Sequence, residues 1–517
     1  MARTLHLSMF IRKKRNKSGS TSIHIVRKDG KKQTHILSIG TAKSEKALIQ
    51  LEQEALEKLS ALQLQSSIDF GYAEDKTFLQ NLLSSIEHIE ISGVDLILGK
   101  IFNEIGFDQI KEPLFRHLVL SRICYPGSKL KTVEYLLRHH QLFYEIDSVY
   151  RYLDKIAGKY KDILQDISYR HTLQLLNNQL SIVFYDVTTL YFEASDEDDL
   201  RKIGFSKDGK SQQPQIVLGL LVSQLGYPLA FEMFEGNKFE GQTMLPVIEK
   251  FKAKYDLQQL IIIADAGLLS QHNIKALQDL NYEFILGARI KNEPSVLQEQ
   301  ILLLPRNNGQ AHSITKANGV KLIVSYSEAR AYNDNKNRQR GLSRLEKAVQ
   351  KGKLTKNHIN NRGYNKYLQL NGEVLISIDQ HKINQDAKWD GLKGYLTNTN
   401  LNAIEVIDNY KQLWHIEKAF RMSKTDLRIR PIYHRLQHRI EAHLIIAFCS
   451  YKLYKELERQ LKEKQINLSP EKAVQIMQSI FTVNTKLPVS RKNVQIIIAK
   501  SIEQQQLLQA FDINFLV

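Results

Sequence analysis

The stretch SIVFYDVTTLYF, residues 181–192, sets one acid, Asp186, inside a β-branched and aromatic run. Such residues favour a strand, and a carboxylate among them is costly unless it is paired or holds a cation. Working outward, QIVLGLLVSQ (215–224) and YPLAFEMFEG (227–236) flank a Leu225-Gly226 turn and read as a hairpin. GQTMLPVIEKFKAKY (241–255) has the apolar spacing of an amphipathic helix. QLIIIADAG (259–267) is a continuous apolar run ending in Asp265, as a buried parallel strand would. SQHNIKALQDL then reads as a helix and YEFILGAR (282–289) as a strand.

The order is strand, hairpin, helix, strand, helix, strand. Three antiparallel strands would be followed by parallel strands added through helical crossovers. An ordinary doubly wound sheet does not begin with such a meander, whereas an RNase H-like fold does. The expected class is therefore α/β, with an RNase H-like core over 179–289 and 401–465. In that sheet the strands of Asp186 and Asp265 are neighbours, and both carboxylates lie at one carboxyl-end crevice. Singly, Asp186 could cap a turn and Asp265 a helix. Together on adjacent strands they fit a metal site better, and Ala266-Gly267 leave room for a ligand. Hard divalent cations take a few carboxylates plus water and substrate phosphate. Two such ions, about 3.5–4 Å apart, clamp the attacking and leaving oxygens of a phosphodiester displacement. That chemistry asks for a third acid.

Around this core the chain divides by pattern. Residues 1–65 hold three short strands and a helix over 43–63, a small basic α+β module expected to touch DNA. Residues 94–178 are helical, and are either a helix-turn-helix-like reader of DNA ends or a plain helical linker. Residues 290–400 are rich in Asn, Lys and Gly, with strand-like VKLIVSYSEA, KYLQLNGEVLISI and LKGYLTNT around a basic helix at 340–355. They are expected to form a β-rich, basic insertion. Residues 466–517 open on a good helix start, Ser469-Pro470-Glu471, and carry no functional signal.

Composition narrows the partners. The 517 residues allow two to four domains at roughly 150 residues each, and the net charge is +17. Residues 1–40 hold ten Lys/Arg against Asp29, and residues 301–370 hold fourteen against three acids, so these two blocks exceed the whole surplus. Two basic blocks on a near-neutral body suit a long polyanion better than a lysine-coated surface does. No apolar run approaches the roughly 18 residues that span a bilayer, so no membrane partner is expected. Two cysteines, Cys124 and Cys449, exclude a disulfide framework and a cysteine zinc site, and a reducing cytoplasm fits.

The third acid is sought in YKQLWHIEKAFRMSK, residues 410–424. At about 100° per residue, Tyr410, Glu417 and Lys424 fall within about 40° on a helix, with Arg421 about 40° to the other side. Ile416, Phe420 and Leu427 form the adjoining apolar stripe. That face is either a site or a solvated surface with pairs such as Glu417–Arg421. Two further motifs invite other chemistry. His434 and His438 have the spacing of a zinc pair, with His443 nearby, but no His-Glu-x-x-His motif and few cysteines accompany them; they read as phosphate or structural contacts. Gly204-x4-Gly209-Lys210-Ser211 spells a P-loop, yet no apolar strand precedes it and Pro214 breaks any following helix. It reads instead as a basic loop near DNA, with Lys207 and Lys210 as phosphate contacts.

These segments resemble insertion-sequence transposases of the DDE type, in the group with the Y-(2)-R-(3)-E-(6)-K signature. Tyr410, Glu417 and Lys424 sit at its spacing, while the Arg position holds Leu413, leaving that role absent or with Arg421 or Lys411. FYDVTTLYFE, GFSKDGKSQQPQIVLGLLVSQLGYPLAFEMFEGN, ADAGLLS and RPIYHRLQHRIEAH are also similar to that family, over about 180–450. The resemblance implies Asp186, Asp265 and Glu417 as a catalytic triad binding two Mg²⁺ or Mn²⁺ ions, and a β-rich insertion before the third acid. It implies phosphate contacts from Tyr410, Arg421 and Lys424. Trp389 and Trp414 read, on side-chain chemistry alone, as stacking partners or as core residues, the commoner place for Trp. Its partners would be double-stranded DNA, both terminal inverted repeats and target, and a second copy in a synaptic dimer. The reaction would be in-line attack on phosphorus, first by water and then by the freed 3′-hydroxyl. The competing expectation is a copy that binds DNA and keeps the fold without cleaving.

Overall fold

A computed structural model describes residues 8–29, 32–66, 70–206, 209–210, 212–257, 259–352, 354–360, 363–371, 375–487 and 490–515. The chain forms two compact units, Met1–Ile89 with Val483–Ile496, and Glu90–Thr482 with Ile497–Val517. In the first, β1 (Ser8–Arg15), β2 (Thr21–Asp29) and β3 (Lys32–Ala42) make an antiparallel meander. Helix α1 (Glu45–Ser66) packs on it, and α2 (Phe70–Ser85) and β4 (Ile86–Ile91) follow. The three short strands and the helix lie where alternation and turn signals put them.

The second unit opens with α3 (Gly93–Ile105), α4 (Pro113–Cys124), α5 (Lys129–His140) and α6 (Ile146–Leu175). Their apolar faces join the core beneath the sheet, so this helical stretch is packed against the sheet. The sheet begins with β5 (Ile182–Tyr191), β6 (Gln215–Ser223) and β7 (Pro228–Glu235), paired antiparallel. After α7 (Met244–Tyr255) comes β8 (Ile261–Ala264), parallel to β5; after α8 (Gln271–Asp279) comes β9 (Glu283–Ala288), parallel to β8. This is the expected meander with two parallel additions. Every residue of β6 is buried, because the strand lies inside the sheet and both its faces are covered.

Residues 290–400, expected as a β-rich, basic insertion, contain among the described residues three α-helices as well as strands, and most of those strands join the main sheet. They supply α9 (Ser295–Leu303), β10 (Ala311–Thr315), β11 (Lys321–Tyr326), the long α10 (Glu328–Gln350), β12 (Leu368–Asn371), β13 (Leu375–Ile378), α11 (Gln380–Ala387) and β14 (Leu392–Thr397). Only β12 and β13 pair apart from the main sheet; β10, β11 and β14 extend it to the order β10-β11-β14-β9-β8-β5-β6-β7. The join is β14 against β9, with Gly394 opposite Ala288.

Strand alternation sorts the core into two layers. Tyr185, Ile262, Ala264 and Phe284 face α7 and α8, while Phe184, Ile263 and Ile285 face the larger helical layer. That larger layer includes α12 (Ala403–Lys411), α13 (Trp414–Thr425) and α14 (Gln437–Glu463). Helix α12 starts on a capping box: the Asn402 side chain accepts from Ile404 N and Glu405 N, and Glu405 accepts from Asn402 N. Helix α15 (Pro470–Met477) begins at Ser469 as the sequence indicates. The tail then adds β15 (Phe481–Lys486), β16 (Asn493–Ile498) and α16 (Ile502–Ala510), and β4, β15 and β16 form a three-stranded sheet.

Candidate active site

Tyr185 pairs with Ala264 in the last step of the parallel ladder, so Asp186 is the next residue along β5 and Asp265 is the first residue beyond β8. Alternation puts both on the face of Phe184 and Ile263, under the layer that contains α12 to α14. Asp186 is half-buried, and its Oδ1 accepts from Val187 N at 2.8 Å. Asp265 is exposed with extended backbone, φ −74° and ψ 161°, and precedes a single helical turn at Ala266–Leu268. Its carboxylate makes no capping bond there, so capping does not explain it. Instead its Oδ1 accepts a hydrogen bond from the Tyr410 hydroxyl at 2.9 Å.

The single helix expected for residues 410–424 is interrupted. Gln412 and Leu413 form a turn between α12 and α13, with His415 N and Ile416 N bonding three residues back at 3.0 and 3.1 Å. Tyr410 ends up buried on α12, and Glu417 exposed in the first turn of α13, which packs over β5 and β6. Leu413 and Ile416 are both drawn into the core, which is what the turn accommodates. The position where the signature has Arg is thus an apolar core position. Of the two substitutes, Lys411 pairs with Asp408 at 2.9 Å, and Arg421 is exposed and forms no ion pair with Glu417.

Asp265 and Glu417 share neighbours. Burial, followed by the charge of Asp265 and its hydrogen bond, then Tyr395 and Glu417, raises the Tyr410 hydroxyl far above its ordinary value. The Lys393 ammonium is lowered by burial and by Arg330, against the opposing pull of Asp265 and Glu417. Among the described residues no three Asp, Glu, His or Cys side chains converge into a cage that could hold a metal alone. Asp186, Asp265 and Glu417 offer carboxylate oxygens alone. An open, oxygen-only set fits Mg²⁺ or Mn²⁺, which complete their shells with water and phosphate, better than it fits zinc.

Lys393 is a residue the sequence reading passed over. It lies on β14 with its ammonium 4.6 Å from the Tyr410 ring centre and 5.3 Å from that of Tyr395. Its signal is the one that marks Asp186, a charge inside an otherwise apolar strand. A cleft of 510 Å³ opens here, lined by Asp265, Gly287, Arg289, Arg330, Lys393 and Tyr410 among others. Gly287 is required by close approach: a Cβ there would stand 2.5 Å from the Tyr410 hydroxyl and 2.9 Å from Ala266 N.

The remaining named residues scatter. Lys424 is half-buried on α13. Lys210 is exposed with its ammonium 5.4 Å from the Tyr191 ring, beyond Asp186 on β5, and Arg430 approaches the same ring at 5.9 Å. Lys207 lies outside the described residues. The P-loop spelling has no matching context, since Gln215–Ser223 after it is a strand rather than a helix. The histidines do not gather on a metal: His438 Nε2 meets Asp154 at 2.9 Å, and buried His443 donates from Nε2 to the Ile429 carbonyl at 3.0 Å. Trp389 packs partly into the core, whereas Trp414 is 48% exposed with its ring stacked 3.9 Å from His415.

A family model described as a transposase DDE domain matches residues 177–453. No curated protein matches the chain. Among solved structures, it is similar to a piggyBac transposase synaptic complex with hairpin DNA, at 9% identity and a TM-score of 0.38, covering 77% of this chain and 79% of that one. It is also similar to a Mos1 transposase paired-end complex with a left transposon end, at 13% identity and a TM-score of 0.16, covering 33% of this chain and 56% of that one.

Proposed function

Because this chain belongs to the transposase family defined by the DDE domain, we propose that it binds the ends of an insertion sequence and moves them by cut-and-paste chemistry. The sheet from β5 to β9 is its RNase H-like core. Asp186, Asp265 and Glu417 are the residues that would hold two Mg²⁺ or Mn²⁺ ions, cations that take a few carboxylates together with water and substrate phosphate. When bound, such ions activate the attacking oxygen and neutralise charge at phosphorus. Tyr410 keeps the Asp265 carboxylate oriented by donating to its Oδ1. Lys424 and Arg421 on α13, together with Lys210 and Lys207, grip backbone phosphates. Terminal repeats and target duplex are the substrates, and a second copy completes the synaptic complex.

The observation that carries this reading is that Asp186 and Asp265 each directly follow the last paired residues, Tyr185 and Ala264, of two parallel neighbouring strands, while Tyr410 donates to Asp265. The test is cleavage of duplex DNA carrying the element's own ends, with Mg²⁺ present. Asp265→Ala is expected to lose more activity than the roughly 10- to 100-fold that losing an outer partner of a metal ligand costs. It should still bind the same DNA. Cleavage that persists removes Asp265 from the site, and a wild-type chain that binds without cutting favours the binding-only alternative.

A further inference from the structure

The cleft beside Asp265 contains more positive charge than the protein itself neutralises. Among the described residues, the Arg289 side chain has no hydrogen bond or ion pair, and the half-buried Lys393 ammonium contacts only the rings of Tyr395 and Tyr410. Arg330 reaches Asp334 only at 3.8 Å, while Lys291 is held by Asp386. Ala266, Gly287, Ala288 and Gly394 line the cleft with little beyond backbone, and at Gly287 and Gly394 the Tyr410 hydroxyl and the Ile290 side chain fill the places where a Cβ would stand. Half-burying an ammonium over two aromatic faces is tolerable, since ring faces attract cations, but it leaves the three N–H donors without oxygen acceptors. A cavity of 510 Å³ with unneutralised guanidinium and ammonium donors is shaped for an anion larger than a simple ion.

We propose that this cleft is a phosphodiester subsite, in which Lys393 and Arg289 hold one backbone phosphate of a DNA strand beside the Asp265 carboxylate and the attached sugar lies over the Gly287–Gly394 floor. It rests on the DNA-joining reading given above and deepens it by naming cations absent from the α13 face. Arg330 also lines the cleft, as a third cation. Lys393 is a binding residue here, not a catalytic one.

The test uses the full chain, a defined 30-base-pair duplex and EDTA, so that no cutting occurs and the acids' role is not being measured. Wild type, Lys393→Gln, Arg289→Gln and Lys275→Gln (an exposed lysine on α8, outside the cleft) are titrated across salt. Losing one phosphate contact lowers the slope of log affinity against log salt by about 0.9, so the loss in affinity between 50 and 200 mM shrinks by about 3.5-fold. Lys393→Gln and Arg289→Gln should each show that change, and Lys275→Gln should not. Slopes of both cleft variants equal to wild type overturn the proposal; the exposed Arg289 provides this result even if Lys393→Gln fails to fold. Thermal shift with inorganic phosphate separates the sources. A phosphate-dependent rise lost in Lys393→Gln, with DNA slopes unchanged, would make the ligand a free anion and overturn the DNA assignment. If Asp265→Ala still cuts while Lys393→Gln loses slope, the catalytic reading fails and the subsite stands.

Discussion

A phenol donating to a carboxylate fixes which oxygen remains free for other partners. Tyr410 does this to Asp265 from a buried position. Tyr410→Phe keeps the ring and removes only the donor. Cleavage at limiting Mg²⁺ is expected to fall about 10- to 100-fold, with part of the loss recovered at high Mg²⁺; a rate unchanged at every metal concentration would show that the bond is idle. His434 tests burial by another route. Burial, then the charges of Lys129, Arg122 and Arg439, lower its imidazole to about 4, against the pull of Asp154. Between pH 6.5 and 4 the unfolded chain therefore binds a proton that the folded chain does not. Stability is full above that window and falls as pH drops through it, by up to about 3 kcal/mol for this side chain. His171 and His415 are lowered in the same way, so the check is a difference: His434→Gln should flatten, without abolishing, the acid fall of Tm relative to wild type.

At the level of elements, much of the central architecture was legible before any coordinates. Alternation around Asp186, the Leu225-Gly226 turn and the apolar run into Asp265 specify local geometry, and local geometry is what a sequence pattern encodes. Two things were not legible. The turn at Gln412–Leu413 escapes periodicity because both residues keep right-handed backbone angles, so the apolar spacing continues across the break. The pairing of β14 with β9 escapes because it joins residues more than a hundred positions apart, and strand-like composition says nothing about the partner. The consequence for the site is direct, since that pairing brings Lys393 beside Tyr410. Gly287→Ala is expected to push Tyr410 or the Ala266 backbone aside, at a cost of about 1–3 kcal/mol in unfolding free energy. An unchanged denaturation midpoint would mean that the strand yields freely. Helix α10 is tied to the approach to β14 by Arg338, which is buried and forks onto both oxygens of Asp390. Arg338→Met should lower stability by about 3 kcal/mol, read from urea unfolding, because it strands a mostly buried carboxylate.

Over the whole molecule, the charge of +17 and its concentration in two blocks suit a chain that works on a polyanion. None of the helices among the described residues is long and apolar enough to cross a membrane. What the fold adds is a direction for that charge. Asp186 lies on β5 and Asp265 just beyond the neighbouring β8, and a cationic cleft adjoins Asp265. Glu417 comes from a separate helix and shares Tyr410 and Lys393 as neighbours with Asp265. Mn²⁺ binding to the DNA-bound chain, counted by electron paramagnetic resonance in wild type and Glu417→Gln, therefore tests the central claim most directly. Two ions per chain in wild type, with at least one lost or sharply weakened in Glu417→Gln, is the expected result; the same count and affinity in both proteins would contradict it.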